Sequence, residues 1–218
     1  MIRAVIYDMD DLMVNSHPLH IEASERVFKK YKVSQKALPE KVRGGFVGMR
    51  VSEILKKLIK IYKLKIDYKK LYNEREKIFL DLVYKKLKMM PGLLKSLKLI
   101  KENGYQIAIA SSGTKKYINT VLDKFKIAGY FNVIVSGDDV RLGKPNPETY
   151  IVAARKLGLK PEETLVLEDA TKGIKAAKAA KCKCIAVPSP YTPRQNLQGA
   201  NLKLNSLKEL NLRLIKSL

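Results

Sequence analysis

The sequence predicts an α/β fold: a Rossmann-like parallel sheet core with an inserted all-helical cap domain. Three observations predict it. From Leu93 onward, short apolar runs alternate with helical stretches, the pattern of a parallel sheet covered on both faces. One more apolar run, Ala4-Val5-Ile6-Tyr7, stands far upstream of the others and belongs with them. Between Ser16 and about Met90 the pattern is helical only. The expected core is therefore residues 1–15 with 91–218, and the expected cap is residues 16–90.

The elements follow in order. After the first strand, Ser16 is placed to cap a helix that opens with Pro18 and runs through Ile21, Phe28 and Tyr31. Gly44-Gly45-Phe46-Val47-Gly48 reads as a flexible connection. Helices are expected over residues 51–62 and 67–88, and Pro91-Gly92 then breaks the chain. Residues 105–110 read as a strand ended by Ser111-Ser112-Gly113, followed by a helix over 114–125. A strand at 133–135 precedes a helix at 147–157, and a strand at 164–167 ends in Glu168-Asp169. A helix over 171–181 and a strand over 184–187 complete the pattern.

Composition narrows the function classes. The 218 residues are 46% hydrophobic and 7% aromatic, an ordinary globular mixture able to bury a sizeable core. No apolar stretch is long enough to span a bilayer and no signal-peptide pattern opens the chain, so a cytoplasmic protein with no membrane partner is expected. Cys182 and Cys184 lack the C-x-x-C spacing of redox or zinc sites and read as small hydrophobes at a strand start. The formal charge of +22 is compatible with a basic nucleic-acid-binding protein on an inactive scaffold. Against that, the lysines are dispersed. Lys56, Lys57, Lys60, Lys63 and Lys65 interleave with Leu55, Leu58, Ile59, Ile61, Leu64 and Ile66, a solvated face around a buried one. No basic tail or base-stacking motif accompanies them, so specific nucleic-acid binding is not expected.

The chemistry lies at the strand exits. Ligands of open parallel sheets bind at the carboxyl ends of the strands. Those ends carry Asp8 and Asp10, Ser111 and Ser112, and Glu168 and Asp169, with Lys144 in the loop after another strand. Two carboxylates one residue apart repel unless a cation sits between them. An Asp beside a metal and a second acid is equipped for nucleophilic chemistry. Each motif also has a structural reading. Ser111-Ser112 and Glu168-Asp169 fit helix caps, and Lys144 fits an exposed loop.

Asp8-Met9-Asp10, the strand ending in Ser111, Gly143-Lys144-Pro145-Asn146-Pro147 and Leu167-Glu168-Asp169 occur in the order of the haloacid dehalogenase superfamily. The chain resembles its helical-capped branch of β-phosphoglucomutase-like proteins and sugar-phosphate phosphatases, over essentially its whole length. The resemblance implies a Mg²⁺-dependent phosphatase of a small phosphorylated metabolite; separately, a monomer is expected. The alternative it implies is a hexose-phosphate mutase. Asp8 would be the nucleophile and Asp10 the general acid and base. Mg²⁺ would be held by Asp8, the Asp10 backbone carbonyl and Asp169, with Glu168 near or in the shell. Ser111, Ser112 and Lys144 would bind phosphate. Dehalogenases of the superfamily do without a second Asp, so Asp10 favours phosphorus chemistry.

His20 on the first cap helix and Arg50 in Gly48-Met49-Arg50 are implied to reach the substrate. Their structural readings are a partly buried histidine and a surface arginine. Three departures stand out. Asp11 replaces the usual Gly after the second Asp, an extra carboxylate tolerable if it points to solvent. Asn15 stands where an acid is usual, and Glu76, with Lys77 adjacent, falls at the position of a mutase cap lysine.

Overall fold

The apolar runs become strands where expected, within a residue or two at their ends. A computed structural model describes residues 1–192 and 195–218. The elements are β1 (Ala4–Tyr7), α1 (His17–Phe28), α2 (Glu40–Gly44), α3 (Val51–Ile61), α4 (Tyr68–Lys86), α5 (Leu93–Glu102), β2 (Gln106–Ala110) and α6 (Lys115–Phe125). They continue with β3 (Val133–Val135), α7 (Glu148–Lys156), β4 (Thr164–Glu168), α8 (Thr171–Ala179), β5 (Lys183–Ala186), β6 (Leu202–Lys203) and α9 (Leu212–Lys216).

The six strands form one parallel sheet in the order β3-β2-β1-β4-β5-β6. β1 sits between β2 and β4, with Tyr7 level with Ile109 on one side and Leu167 on the other. That register decides the site: Asp8, Ala110 and Glu168 leave the sheet side by side. The order also reverses at β1, the position where such sheets open a binding crevice.

Alternation along the strands divides the core into two layers. Val5, Tyr7, Ile107, Ile109, Leu165 and Leu167 pack with Leu97 and Ile100 of α5 and Ile118 and Val121 of α6. Ala4, Ile6, Ala108, Ala110, Val166 and Cys184 face Tyr150 and Ala153 of α7 and Ile174 and Ala177 of α8. Both cysteines are free and buried, as small hydrophobes.

Helices α1–α4 cover the carboxyl edge of the sheet and share their own core of Val27, Phe28, Phe46, Leu55, Leu58 and Leu71. Three details differ from expectation. The first helix ends at Phe28 and tightens to a 3₁₀ turn through Tyr31, because Lys32 takes φ 54° and stops the run. Ile61 is exposed, since the buried stripe of α3 is limited to Leu55 and Leu58. The edge strand β6 and helix α9 are too short to carry a periodic signal. Among the described residues, no helix is long and apolar enough to cross a membrane.

Candidate active site

β1 is buried at every position, so the first polar residue after it is held by the sheet. The Asp8 backbone N–H still donates to Leu167 O at 3.0 Å, continuing the ladder one residue past the strand. The chain then turns tightly: Met13 N–H donates to Met9 O and Asp11 N–H to Val14 O. Asp11 adopts φ 61°, a left-handed conformation that Asp accepts better than most residues.

Lys144 closes the floor of the site. Its Nζ donates to Asp8 Oδ1 at 2.5 Å, to Glu168 Oε1 at 2.7 Å and to Ala110 O at 3.1 Å. It also lies 4.7 Å from the centroid of the Tyr150 ring, whose hydroxyl donates to Glu168 Oε1 at 2.8 Å. Lys144 lies in a loop but is 3% exposed, which rules out its reading as an exposed loop lysine. Burial pushes its ammonium pKa down, but Asp8 and Glu168 outweigh that and raise it. Burial pushes the Asp8 carboxyl well up despite Lys144, with Glu168 and Asp10 adding to the rise.

Carboxylate oxygens of Asp8, Glu168 and Asp169 lie within 4.8 Å of one another. Asp169 Oδ2 is buried with no hydrogen-bond partner among the described residues. Its carboxyl is pushed well up by burial and by the charges of Glu168 and Asp8. An all-oxygen set with an orphaned acceptor and excess negative charge fits a hard divalent cation. Glu168 is the most committed of the three: Oε1 holds Lys144 and Tyr150, and Oε2 accepts the Ala170 N–H at 2.9 Å. Gly173 on α8 makes room for it, since a Cβ there would overlap the Glu168 carboxylate.

Asp10 is built differently. Its Oδ1 accepts from Ser16 Oγ at 2.6 Å and Tyr117 Oη at 2.9 Å, and His20 Nε2 lies 3.5 Å away. Oδ2 has Ser111 Oγ at 3.4 Å. Burial raises the Asp10 carboxyl, but His20, Ser16 and Tyr117 outweigh it and hold it below the ordinary value. His20 is lowered by burial against the pull of Asp10 and is neutral. Arg75 Nη2 donates to His20 Nδ1 at 2.6 Å, which places the ring proton on Nε2, facing Asp10. Burial pushes the Tyr117 hydroxyl far up, with the Asp10 charge adding to it, so it acts as a donor.

Asp8, Asp10 and Asp169 line a cavity of about 80 Å³. The cap supplies its other walls, including Ile21, Ser24, Gln35, Phe46, Leu55 and Arg75. Residues 5–187 match the family model of the haloacid dehalogenase-like hydrolases. The chain belongs to that family.

Relatives of this haloacid dehalogenase-like hydrolase are named phosphatases. It is 32% identical to a phosphorylated carbohydrates phosphatase of Thermotoga maritima, over 82% of this chain and 81% of that one. It is 30% identical to hexitol phosphatase B of Escherichia coli O157:H7, over 96% of this chain and 94% of that one. Among solved structures it superposes on CbbY from Rhodobacter sphaeroides in complex with phosphate, with TM-score 0.87, 26% identity and 97% of each chain covered. The chain is thus a phosphoric monoester hydrolase of the family, whose enzymes typically use a divalent metal.

Several residues serve the family scaffold in ways other than expected. Ser16 leaves its helix uncapped by its side chain and donates to Asp10 instead. Ser112 donates its hydroxyl to Gly48 O, 3.1 Å away in the cap, which leaves its backbone N–H for the expected phosphate role. Ser111 Oγ accepts the Gly113 N–H and stays beside Asp10, while the true cap of α6 is Thr114. Arg50 donates to Val140 O at 2.6 Å and Arg141 O at 3.1 Å, clamping cap to core instead of reaching into the cavity. Asp11 does not face solvent. It is 4% exposed, accepts the His17 N–H at 3.1 Å, and is pushed up to about 8 by burial and the Asp10 charge. Asn15 accepts the Lys88 N–H.

The residue that α4 sends into the cavity is Arg75, not Glu76, which lines a neighbouring hollow with Arg50 and Tyr72. A signal for it existed. Leu71, Arg75 and Phe79 follow one another at i, i+4 on a buried stripe, so Arg75 had to be either paired or functional. Tyr117 and Tyr150 lie on the buried faces of α6 and α7, and nothing in the sequence marked their hydroxyls.

Proposed function

We propose that the protein is a Mg²⁺-dependent phosphatase of a small phosphorylated metabolite, a sugar phosphate, working through an aspartyl-phosphate on Asp8. One observation carries the reading. Asp8, Asp10 and Asp169, delivered by two separate strand exits, line one cavity under the helical cap, with Lys144 bound to Asp8 from a third. The reading takes residues 16–90 as the cap and 1–15 with 91–218 as the core.

Asp8 attacks phosphorus while the bond to the leaving oxygen breaks, and Asp10 gives that oxygen a proton. Asp10 then takes a proton from water as the water's oxygen bonds phosphorus and Asp8 is released. Ser111 holds the phosphoryl group, and Lys144 aims Asp8 and counters part of the effect of burial on its charge. Two like charges about 4 Å apart repel by about 4 kcal/mol at an effective dielectric near 20, so an unassisted carboxylate could not approach a phosphate dianion. Asp8, Asp169 and the Asp10 carbonyl, with Glu168 alongside, would hold a divalent ion, which would supply the remaining charge neutralisation.

The cap walls suit a compact polyol ester. Ser24, Gln35 and Arg75 offer hydrogen bonds to hydroxyls, and Ile21, Phe46 and Leu55 face C–H surface. The named substrates of the carbohydrate and hexitol phosphatase relatives support the same class. The test is phosphate release from a panel of phosphomonoesters with Mg²⁺ or with chelator. Release that requires Mg²⁺ and is lost in Asp8→Asn is expected. No release from any ester overturns the reading. Isomer formation from glucose 1-phosphate without phosphate release would make the protein a mutase.

A further inference from the structure

Tyr117 stands in the first turn of α6 and is 1% exposed. Thr114 accepts its backbone N–H at 3.2 Å and fixes the turn. The ring is clamped from both sides of the cleft. On the core side, Gly113 leaves it space: a Cβ there would lie 2.8 Å from Tyr117 Cδ1. On the cap side, Phe79 packs at 4.9 Å between centroids and His20 meets the ring edge-on at 6.0 Å. The hydroxyl is thereby held 2.9 Å from Asp10 Oδ1.

The two oxygens of Asp10 are unequal. Oδ1 faces three donors, on Ser16, Tyr117 and His20, whereas Oδ2 has one contact, 3.4 Å from Ser111 Oγ. An oxygen whose lone pairs are filled by donors has no room for a proton of its own. We propose that Tyr117 is a positioning residue that locks Asp10 Oδ1 as a permanent acceptor, so that Oδ2 is the oxygen that carries the proton. The proposal rests on the acid–base reading of Asp10 given above. Oδ2 is the atom left free to hold the proton that the acid–base reading assigns to Asp10. As the phosphorus–oxygen bond breaks, its electron pair takes that proton and Asp10 is left as a carboxylate. Attack by water returns the proton to Oδ2. Without Tyr117, Oδ1 keeps Ser16 and His20 but loses one of its three donors, so the carboxyl is held less firmly and the proton is aimed less well at the leaving oxygen.

The readout is leaving-group dependence of kcat/KM, which reports only the steps through departure of the leaving group. A p-nitrophenolate leaves with little need of a proton, whereas an alkoxide such as that of glycerol needs one. In Tyr117→Phe, kcat/KM should fall at least about tenfold more on glycerol phosphate than on p-nitrophenyl phosphate, part of the 10²–10⁴ that a positioned acid supplies. Asp10→Asn should show the same selectivity, enlarged. Phe79→Leu loosens the ring but keeps its hydroxyl, and should show it reduced. It also serves if Tyr117→Phe melts below the assay temperature. Equal losses on both esters in Tyr117→Phe, or in Phe79→Leu if that is the folded variant, mean a packing role and overturn the proposal. Equal losses in Asp10→Asn overturn the acid–base reading itself.

Discussion

Lys144 Nζ sits 2.5 Å from Asp8 Oδ1 and 2.7 Å from Glu168 Oε1, so one buried ammonium neutralises carboxylates from two neighbouring strand exits. Removing it leaves those carboxylates facing each other without a counter-charge. Breaking a buried pair by deleting one partner costs about 3–5 kcal/mol. Lys144→Met should therefore lose about that much stability in urea unfolding and release no measurable phosphate. Adding Glu168→Gln should return part of the stability and none of the activity. Unchanged stability in Lys144→Met would mean that the pair is not held as described.

Gly173 has an ordinary helical backbone, so its lack of a side chain matters only for space. A Cβ there overlaps Glu168, which cannot move without releasing Lys144 and Tyr150. Gly173→Ala should destabilise the protein by about 1–3 kcal/mol, the range for overpacking, and, on the proposed Mg²⁺ requirement, raise the Mg²⁺ concentration for half-maximal activity. Gly129, whose added Cβ would meet nothing, is the control. Gly129→Ala should stay within about 0.5 kcal/mol of the parent. A Gly173→Ala protein with parental thermal stability would contradict the packing argument.

Arg50 ties the cap to the carbonyls of Val140 and Arg141, and Ser112 and Lys172 make two more ties, to Gly48 O and to Gly45 O. These bonds join the cap to the core over the sheet edge. Arg50→Ala should loosen the cap and lower kcat/KM by about tenfold to 150-fold, the effect of losing about 1.5–3 kcal/mol from a hydrogen bond with a charged donor. A latch acts alike on every substrate, so singly and doubly phosphorylated esters should lose the same factor. A loss confined to doubly phosphorylated esters would make Arg50 a phosphate ligand instead.

What was legible in the sequence was whatever the sheet dictates. Asp8, Ser111 and Glu168-Asp169 had to leave the sheet at its carboxyl edge because buried runs of β periodicity precede them. The motif order then brought Lys144 to the same edge. Partner choice among polar side chains was not legible. Ser16, Ser112 and Arg50 each have several acceptors within reach, and the docking of the cap on the core selects one. Tyr117 and Tyr150 were hidden because an aromatic on a buried stripe needs no further reason to be there. Asp11 escapes sequence reasoning because a turn residue ordinarily faces solvent, whereas this turn folds back under α1.

Asp11 supplies the pH prediction. Its pKa in the folded protein is pushed up to about 8 by burial and the Asp10 charge, against about 4 in an unfolded chain. Below pH 4 the group is protonated in both states and has no effect on the balance. As pH rises from about 4 to 8, the unfolded chain gives up the proton while the folded protein keeps it. Folding stability therefore falls across that window and levels off above pH 8. Asn does not titrate, accepts the left-handed conformation at φ 61°, and keeps the acceptor for the His17 N–H. Asp11→Asn should thus match the parent near pH 4 and exceed it progressively up to pH 8, by at least about 2 kcal/mol there, because each tenfold difference in proton affinity between the two states is worth about 1.36 kcal/mol. Urea midpoints of both proteins at pH 4, 6 and 8 measure this directly. A difference that is flat with pH would place the Asp11 carboxylate in water.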